Sequence, residues 1–184
     1  MENNKWKILK DQLIYENRWI SLNHYDVINP NGGEGIYGKV HFKNIAIGIV
    51  PIDEEGNTWL VGQHRFPINR YSWEIPEGGC PLDQEPIEGA KRELLEETGL
   101  VAEEWKEVLT IYLSNSVCDE KAIIFIAKNL SQHIPQPDDT ELLQIKKVKL
   151  NEAFEMVKQN IITDAVAVAA LQKVELMLLK GELN

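Results

Sequence analysis

Cysteine is scarce in this chain, basic residues are in the minority, and long apolar runs are missing. The two cysteines, Cys80 and Cys118, form no C-x-x-C pair. One disulfide or two free thiols would satisfy them, and free thiols in a reducing cytoplasm are the simpler reading. No stretch approaches the roughly 20 apolar residues of a membrane span. The opening "MENNKWKILK" lacks the apolar core of a secretory signal, so a cytoplasmic protein is expected. Lysine and arginine number 19 against 29 aspartates and glutamates, a formal net charge of -10. That balance argues against non-specific nucleic-acid binding, which needs a basic face. It still admits an anionic substrate if divalent cations lie between the two sets of negative charge. The histidines, His24, His41, His64 and His133, are scattered and show no metal-ligand spacing.

What is present suits one ordinary globular domain with a small appendage: 184 residues, 43% of them hydrophobic. Residues 1–43 alternate apolar and polar positions and read as short strands, with "NPNGG" as a turn. "NIAIGIVPID" reads as a buried strand, "DEEGN" as a hairpin turn and "TWLVGQHRF" as the return strand. "SWEIPEGG" is a short strand running into a Pro and Gly loop. A helix follows, with Pro86 in its first turn and Gly99 at its C-terminal cap. Two more strands, "EEWKEVLTIYLSNS" and "EKAIIFIAKNL", lead through the acidic loop "PQPDDTELLQ" to "IKKVKL". Two helices close the chain, the first capped by Asn151, the second by Thr163 or Asp164 and stopped at Gly181. The order predicts a mixed α/β fold with a small N-terminal antiparallel β region.

The segment "GAKRELLEETGL" poses the functional question. At about 100° per residue, Glu97 falls about 40° from Glu93 and Glu96 about 60° to its other side. The three carboxylates therefore share a helix face, while Ala90 and Leu94 seat the helix on a core. Arg92 can pair with Glu96, but Glu93 and Glu97 are expected to face each other unpaired. They also lie toward the C-terminal end, where the helix dipole disfavours negative charge. A solvated acidic face is the ordinary reading of such a run. A helix that accepts both penalties fits a cation site better. Oxygen ligands select hard ions, Mg²⁺ or Mn²⁺, over zinc.

These residues resemble the Nudix box. From Gly78, the positions Arg92, Glu93, Leu94, Glu96, Glu97, Gly99 and Leu100 match at fixed spacing, and Gln84 replaces the first glutamate of the box. "VGQHRFP" with "WEIPEGG", "YLSNSVCDE", "DDTELLQIKKVKLNEAFEMV" and "ITDAVAVAAL" extend the likeness to the ADP-ribose and nucleoside-diphosphate-sugar pyrophosphatase branch. The resemblance implies an α/β/α sandwich over residues 44–184, with residues 1–43 as an arm that reaches a partner subunit in a homodimer. It implies hydrolysis of the pyrophosphate bridge of a nucleoside diphosphate substrate with Mg²⁺ or Mn²⁺. Glu93, Glu97 and Glu96 become metal ligands, joined by the carbonyl of Glu77, and Arg92 orients a carboxylate. Asp139 and Glu141 in the acidic loop, with Glu120, are the candidates for general base. Arg65 is either a bidentate phosphate ligand or an ordinary salt bridge. Trp73 stacks on a base or joins the core, with Glu74 beside it. Trp19 and Tyr25 are placed to reach substrate by the resemblance alone. The alternative is a Nudix-like module that senses a nucleotide without cutting it, and Gln84 is the feature that leaves this open.

Overall fold

A computed structural model describes residues 5–134 and 143–183. The chain packs into two compact units, one of Met1–Asn44 with Tyr112–Lys121, the other of Ile45–Ile111 with Ala122–Asn184.

The first unit is an antiparallel sheet of β1 (Lys7–Glu16), β2 (Ile20–Ile28) and β3 (Glu34–Phe42), in that order. Asparagine side chains build its turns. Asn17 Oδ1 accepts the Trp19 and Ile20 amides, both at 2.8 Å. Asn29 Oδ1 accepts the Asn31 and Gly33 amides, and Gly32 supplies the left-handed residue at φ +88°. The segment 112–121 joins this sheet. The Val40 amide donates to the Val117 carbonyl at 2.9 Å. Asp119 accepts from Lys39 Nζ and His41 Nδ1, both at 2.8 Å, and from the Phe42 amide at 3.0 Å.

Among the described residues, the second unit holds two sheets and three α-helices. β7 (Glu77–Pro81), β4 (Asn44–Pro51), β9 (Lys121–Gln132) and β8 (Leu100–Tyr112) form one sheet; β10 (Gln144–Lys149), β5 (Asn57–Arg65) and β6 (Arg70–Glu74) form the other. β4 and β9 are parallel, with Ile47 beside Ile123 and Ile49 beside Phe125. Strand alternation splits this pair between two layers. Ile47, Ile49, Ile123 and Phe125 join Ala90 and Leu94 of α1 (Pro86–Thr98) in one core. Gly48 faces α3 (Ala165–Leu179), where a Cβ would lie 2.6 Å from Val166. The result is the expected α/β/α sandwich. α2 (Leu150–Lys158) buries Ala153, Phe154, Met156 and Val157.

Two local expectations are corrected, and a third, left open between two residues, is decided. "DEEGN" is a turn, closed by the Gly56 amide on the Asp53 carbonyl at 3.0 Å, but β4 and β5 enter different sheets and form no hairpin ladder. Asn151 lies inside α2, whose N-cap is Lys149. The Leu150 amide donates to the Gly56 carbonyl at 3.0 Å, and this tertiary bond starts the helix early. Asp164 rather than Thr163 caps α3, accepting the Ala167 amide at 2.7 Å.

Candidate active site

Helix α1 is fixed at both ends by its sequence. Glu85 is the extended N-cap, Pro86 opens the helix, and Gly99 ends it at φ +71° with its amide on the Leu95 carbonyl at 2.9 Å. Gly89 lets the helix sit close on β7, since a Cβ there would lie 2.7 Å from that of Cys80. With Ala90 and Leu94 buried, the face carrying Glu93 and Glu97 turns onto the β7 backbone. Both side chains are buried, and Glu96 is half-buried.

The glutamates and the glycines fit each other. A Cβ on Gly78 would stand 2.1 Å from the Glu93 carboxylate carbon, so only glycine admits Glu93 in this position. The Glu77 amide donates to Glu97 Oε2 at 2.9 Å. Arg92 reaches the Gly79 carbonyl at 2.7 Å, Glu93 at 2.8 Å and Glu96 at 2.9 Å. The expectation that Glu93 and Glu97 lack partners is therefore corrected. Arg92 braces one and a backbone amide holds the other. Burial acts to lower the pKa of Arg92, and the charges of Glu93 and Glu96 outweigh it.

A second group of charges adjoins through Glu77. Arg65, at the end of β5, grips both oxygens of Glu74 and donates to Glu77 Oε1 at 2.9 Å. Glu74, Glu77 and Asp164 bring carboxylate oxygens within 4.8 Å of one another. Burial opposes the charge on Arg65, but its bonds to Glu74 and the charges of Glu77 and Asp164 hold it protonated far above neutrality. Burial, then the charges of Asp164 and Glu74, push the Glu77 carboxyl well up against the pull of Arg65. Glu77 Oε2 is buried and accepts no hydrogen bond. Asp164 joined this group unforeseen. Its sequence signal was a helix cap, and only the seating of α3 against Gly48 carries it here.

Trp73 and Glu74 are consecutive on β6 and point to opposite sides. Trp73 lies across from Gly62, packs edge-on against Tyr71 at 5.6 Å, and is not gathered with Arg65, Glu74 and Glu77. Trp19, Tyr25 and Glu120 belong to the first unit. Trp19 is exposed, with the Arg18 guanidinium 4.5 Å from its ring centre, and the Glu120 carbonyl accepts the Leu113 amide at 3.1 Å. Asp139 and Glu141 lie outside the described residues. Gln84 is exposed, and its amide closes a turn on the Pro81 carbonyl at 3.1 Å.

Comparison with known proteins bears on this arrangement. The NUDIX domain model matches residues 42–170, and the model of the nucleoside diphosphate sugar hydrolase N-terminal domain matches residues 6–40. An ADP-ribose pyrophosphatase of Bacillus subtilis (strain 168) is 30% identical over 178 residues, 96% of either chain. A methanol dehydrogenase activator of Bacillus methanolicus is 30% identical over 172 residues, 92% of either chain. A crystal structure of an ADP compounds hydrolase superposes with a TM-score of 0.87 at 23% identity, over 99% of this chain and 98% of that one. The box, the α/β/α sandwich and the two matched models together make this chain a Nudix pyrophosphohydrolase, a member of the Nudix family that carries the nucleoside-diphosphate-sugar hydrolase N-terminal domain.

Proposed function

We propose that the chain hydrolyses the pyrophosphate bond of ADP-ribose or of a nucleoside diphosphate sugar, with Mg²⁺ or Mn²⁺, to a nucleoside monophosphate and a sugar phosphate. The observation that carries this is the convergence of Glu93 and Glu97 on the backbone of Glu77 and Gly78. Full-length likeness to an ADP-ribose pyrophosphatase supports the substrate class.

The donor set fits a hard divalent ion. It is all oxygen and largely buried, and the carboxylate oxygen Oε2 of the neighbouring Glu77 side chain is buried without a hydrogen bond. Glu93, Glu97, Glu96 and the Glu77 carbonyl would hold the metal. Such an ion neutralises the diphosphate and lowers the pKa of a water for attack on phosphorus. The chain's own groups do the rest. Arg92 holds Glu93 and Glu96 in their rotamers. Arg65, anchored on Glu74 and Glu77, offers its guanidinium to a phosphate oxygen. Asp139, Glu141 or Glu120 takes the proton of the attacking water as the bridging P–O bond breaks.

We further read the protein as a cytoplasmic homodimer, in keeping with its free Cys80 and Cys118 and the apolar exposure of its first unit. A product assay tests the substrate class. ADP-ribose should yield AMP and ribose 5-phosphate, and GDP-mannose and UDP-glucose define the range. A nucleotide that raises the melting temperature while none of the panel is cleaved would favour the sensing alternative.

A further inference from the structure

Arginine is rare in this chain: Arg18, Arg65, Arg70 and Arg92 are its only four. Three of them are engaged. Arg18 lies over the Trp19 ring, Arg92 braces Glu93 and Glu96, and Arg65 holds Glu74 and Glu77. The Arg70 side chain is exposed and makes no hydrogen bond, ion pair or ring contact among the described residues.

Its position carries a penalty. In the ladder between β5 and β6, Arg70 stands directly opposite Arg65, on the last rung before the turn at residues 66–69. Directly opposed side chains share a sheet face, with Cα atoms about 4.5–5.5 Å apart, and like charges there repel. Glu74, on the same strand as Arg70 and an even number of residues away, projects from that face too. The turn is tightly closed, with Pro67 in its 3-10 helix and Asn69 left-handed at φ +49°, its amide on the Phe66 carbonyl at 3.2 Å. No carboxylate of the hairpin end relieves the pair. Residues 64–73 hold both arginines and no aspartate or glutamate, in a chain where acids outnumber bases 29 to 19.

Arg65 alone is a poor ligand for a diphosphate. Its Nε and Nη2 donate to Glu74 and Glu77, which balances its charge and leaves only Nη1 for a substrate. The clustered carboxylates of Glu74, Glu77 and Asp164 repel an anion as well. An unbalanced guanidinium on the same face answers both. We propose that Arg70 is a substrate-binding residue, whose guanidinium takes phosphate oxygens beside Arg65, so that the bound diphosphate lies between the two like charges. This deepens the function proposed above and rests on its reading of the substrate as a nucleoside diphosphate.

Isothermal titration in Mg²⁺ with α,β-methylene ADP, whose carbon bridge resists hydrolysis, is the test. Arg70→Gln should raise the dissociation constant by about tenfold or more, and Arg70→Lys by less, since lysine keeps the charge and loses the fork. Methylenediphosphonate, which has no nucleoside, should lose affinity in Arg70→Gln by a similar factor. The KM for ADP-ribose should rise in step, while the melting temperature holds or rises as the repulsion on Arg65 is relieved. Equal affinity of the native chain and Arg70→Gln for the analogue, with equal KM, would overturn the role of Arg70 and leave the pyrophosphatase reading standing. A native chain that neither binds the analogue nor cleaves ADP-ribose or the nucleotide sugars would overturn both. If the native chain cleaves ADP-ribose without taking the analogue, the KM comparison decides.

Discussion

Glu97 is the residue on which most depends. It is 3% exposed and accepts the Glu77 amide, a bond that glutamine can keep through its carbonyl oxygen. Glu97→Gln should therefore fold normally and lose turnover by about 100-fold or more, read as kcat beside an unchanged dichroism spectrum. Gly78→Ala makes a different case. Its Cβ would occupy the place of the Glu93 carboxylate, so Glu93 or the β7 backbone must move. A stability loss of about 1–3 kcal/mol by urea denaturation should accompany loss of activity. The sequence made part of this legible. Spacing put Glu93, Glu96 and Glu97 on one helix face, and the resemblance assigned their work. The braces were not legible, because a carbonyl from Gly79 and an amide from Glu77 leave no trace in side-chain pattern. Asp164 was hidden for a similar reason, since only packing brings a helix cap beside two strand glutamates.

Among elements, helices were read best where their ends are set by local chemistry. Pro86 and Gly99 bound α1, and Asp164 caps α3. Tertiary contacts defeated the local reading elsewhere. The Gly56 carbonyl starts α2 before Asn151, and β5 turns away from β4 to pair with β6 and β10. Segment 112–121 is a testable element of its own, clasped to β3 by Asp119. Burial raises the Asp119 pKa, but the bonds from Lys39, His41 and the Phe42 amide outweigh it and hold it at about 2, against an ordinary 3.8. A depressed acid stabilises the folded form above its ordinary pKa, and that stability fades as pH falls through 3.8 toward 2. The carboxylate is a third exposed, so screening leaves roughly 1 kcal/mol. Hydrogen exchange at the Val40 and Val117 amides should quicken several-fold in Asp119→Asn near neutral pH. An unchanged rate would detach the clasp from Asp119.

At the scale of the whole molecule, the proposed cation site, in a chain of net charge -10, predicts a fold that divalent cations stabilise. Mg²⁺ or Mn²⁺ at 100 times its dissociation constant should add about 2.7 kcal/mol by mass action, seen as a higher melting temperature than in sodium chloride of equal ionic strength. Glu93→Gln with Glu97→Gln should remove the difference. The central claim is that these glutamates serve metal-dependent cleavage of a nucleoside diphosphate. Its most direct test is AMP release from ADP-ribose with Mg²⁺, with Mn²⁺ and with excess chelator, for the native chain and Glu97→Gln. The account predicts turnover in the native chain with either ion, none in chelator, and at least 100-fold less in the variant. Equal AMP release with and without chelator, or full activity in Glu97→Gln, would contradict it.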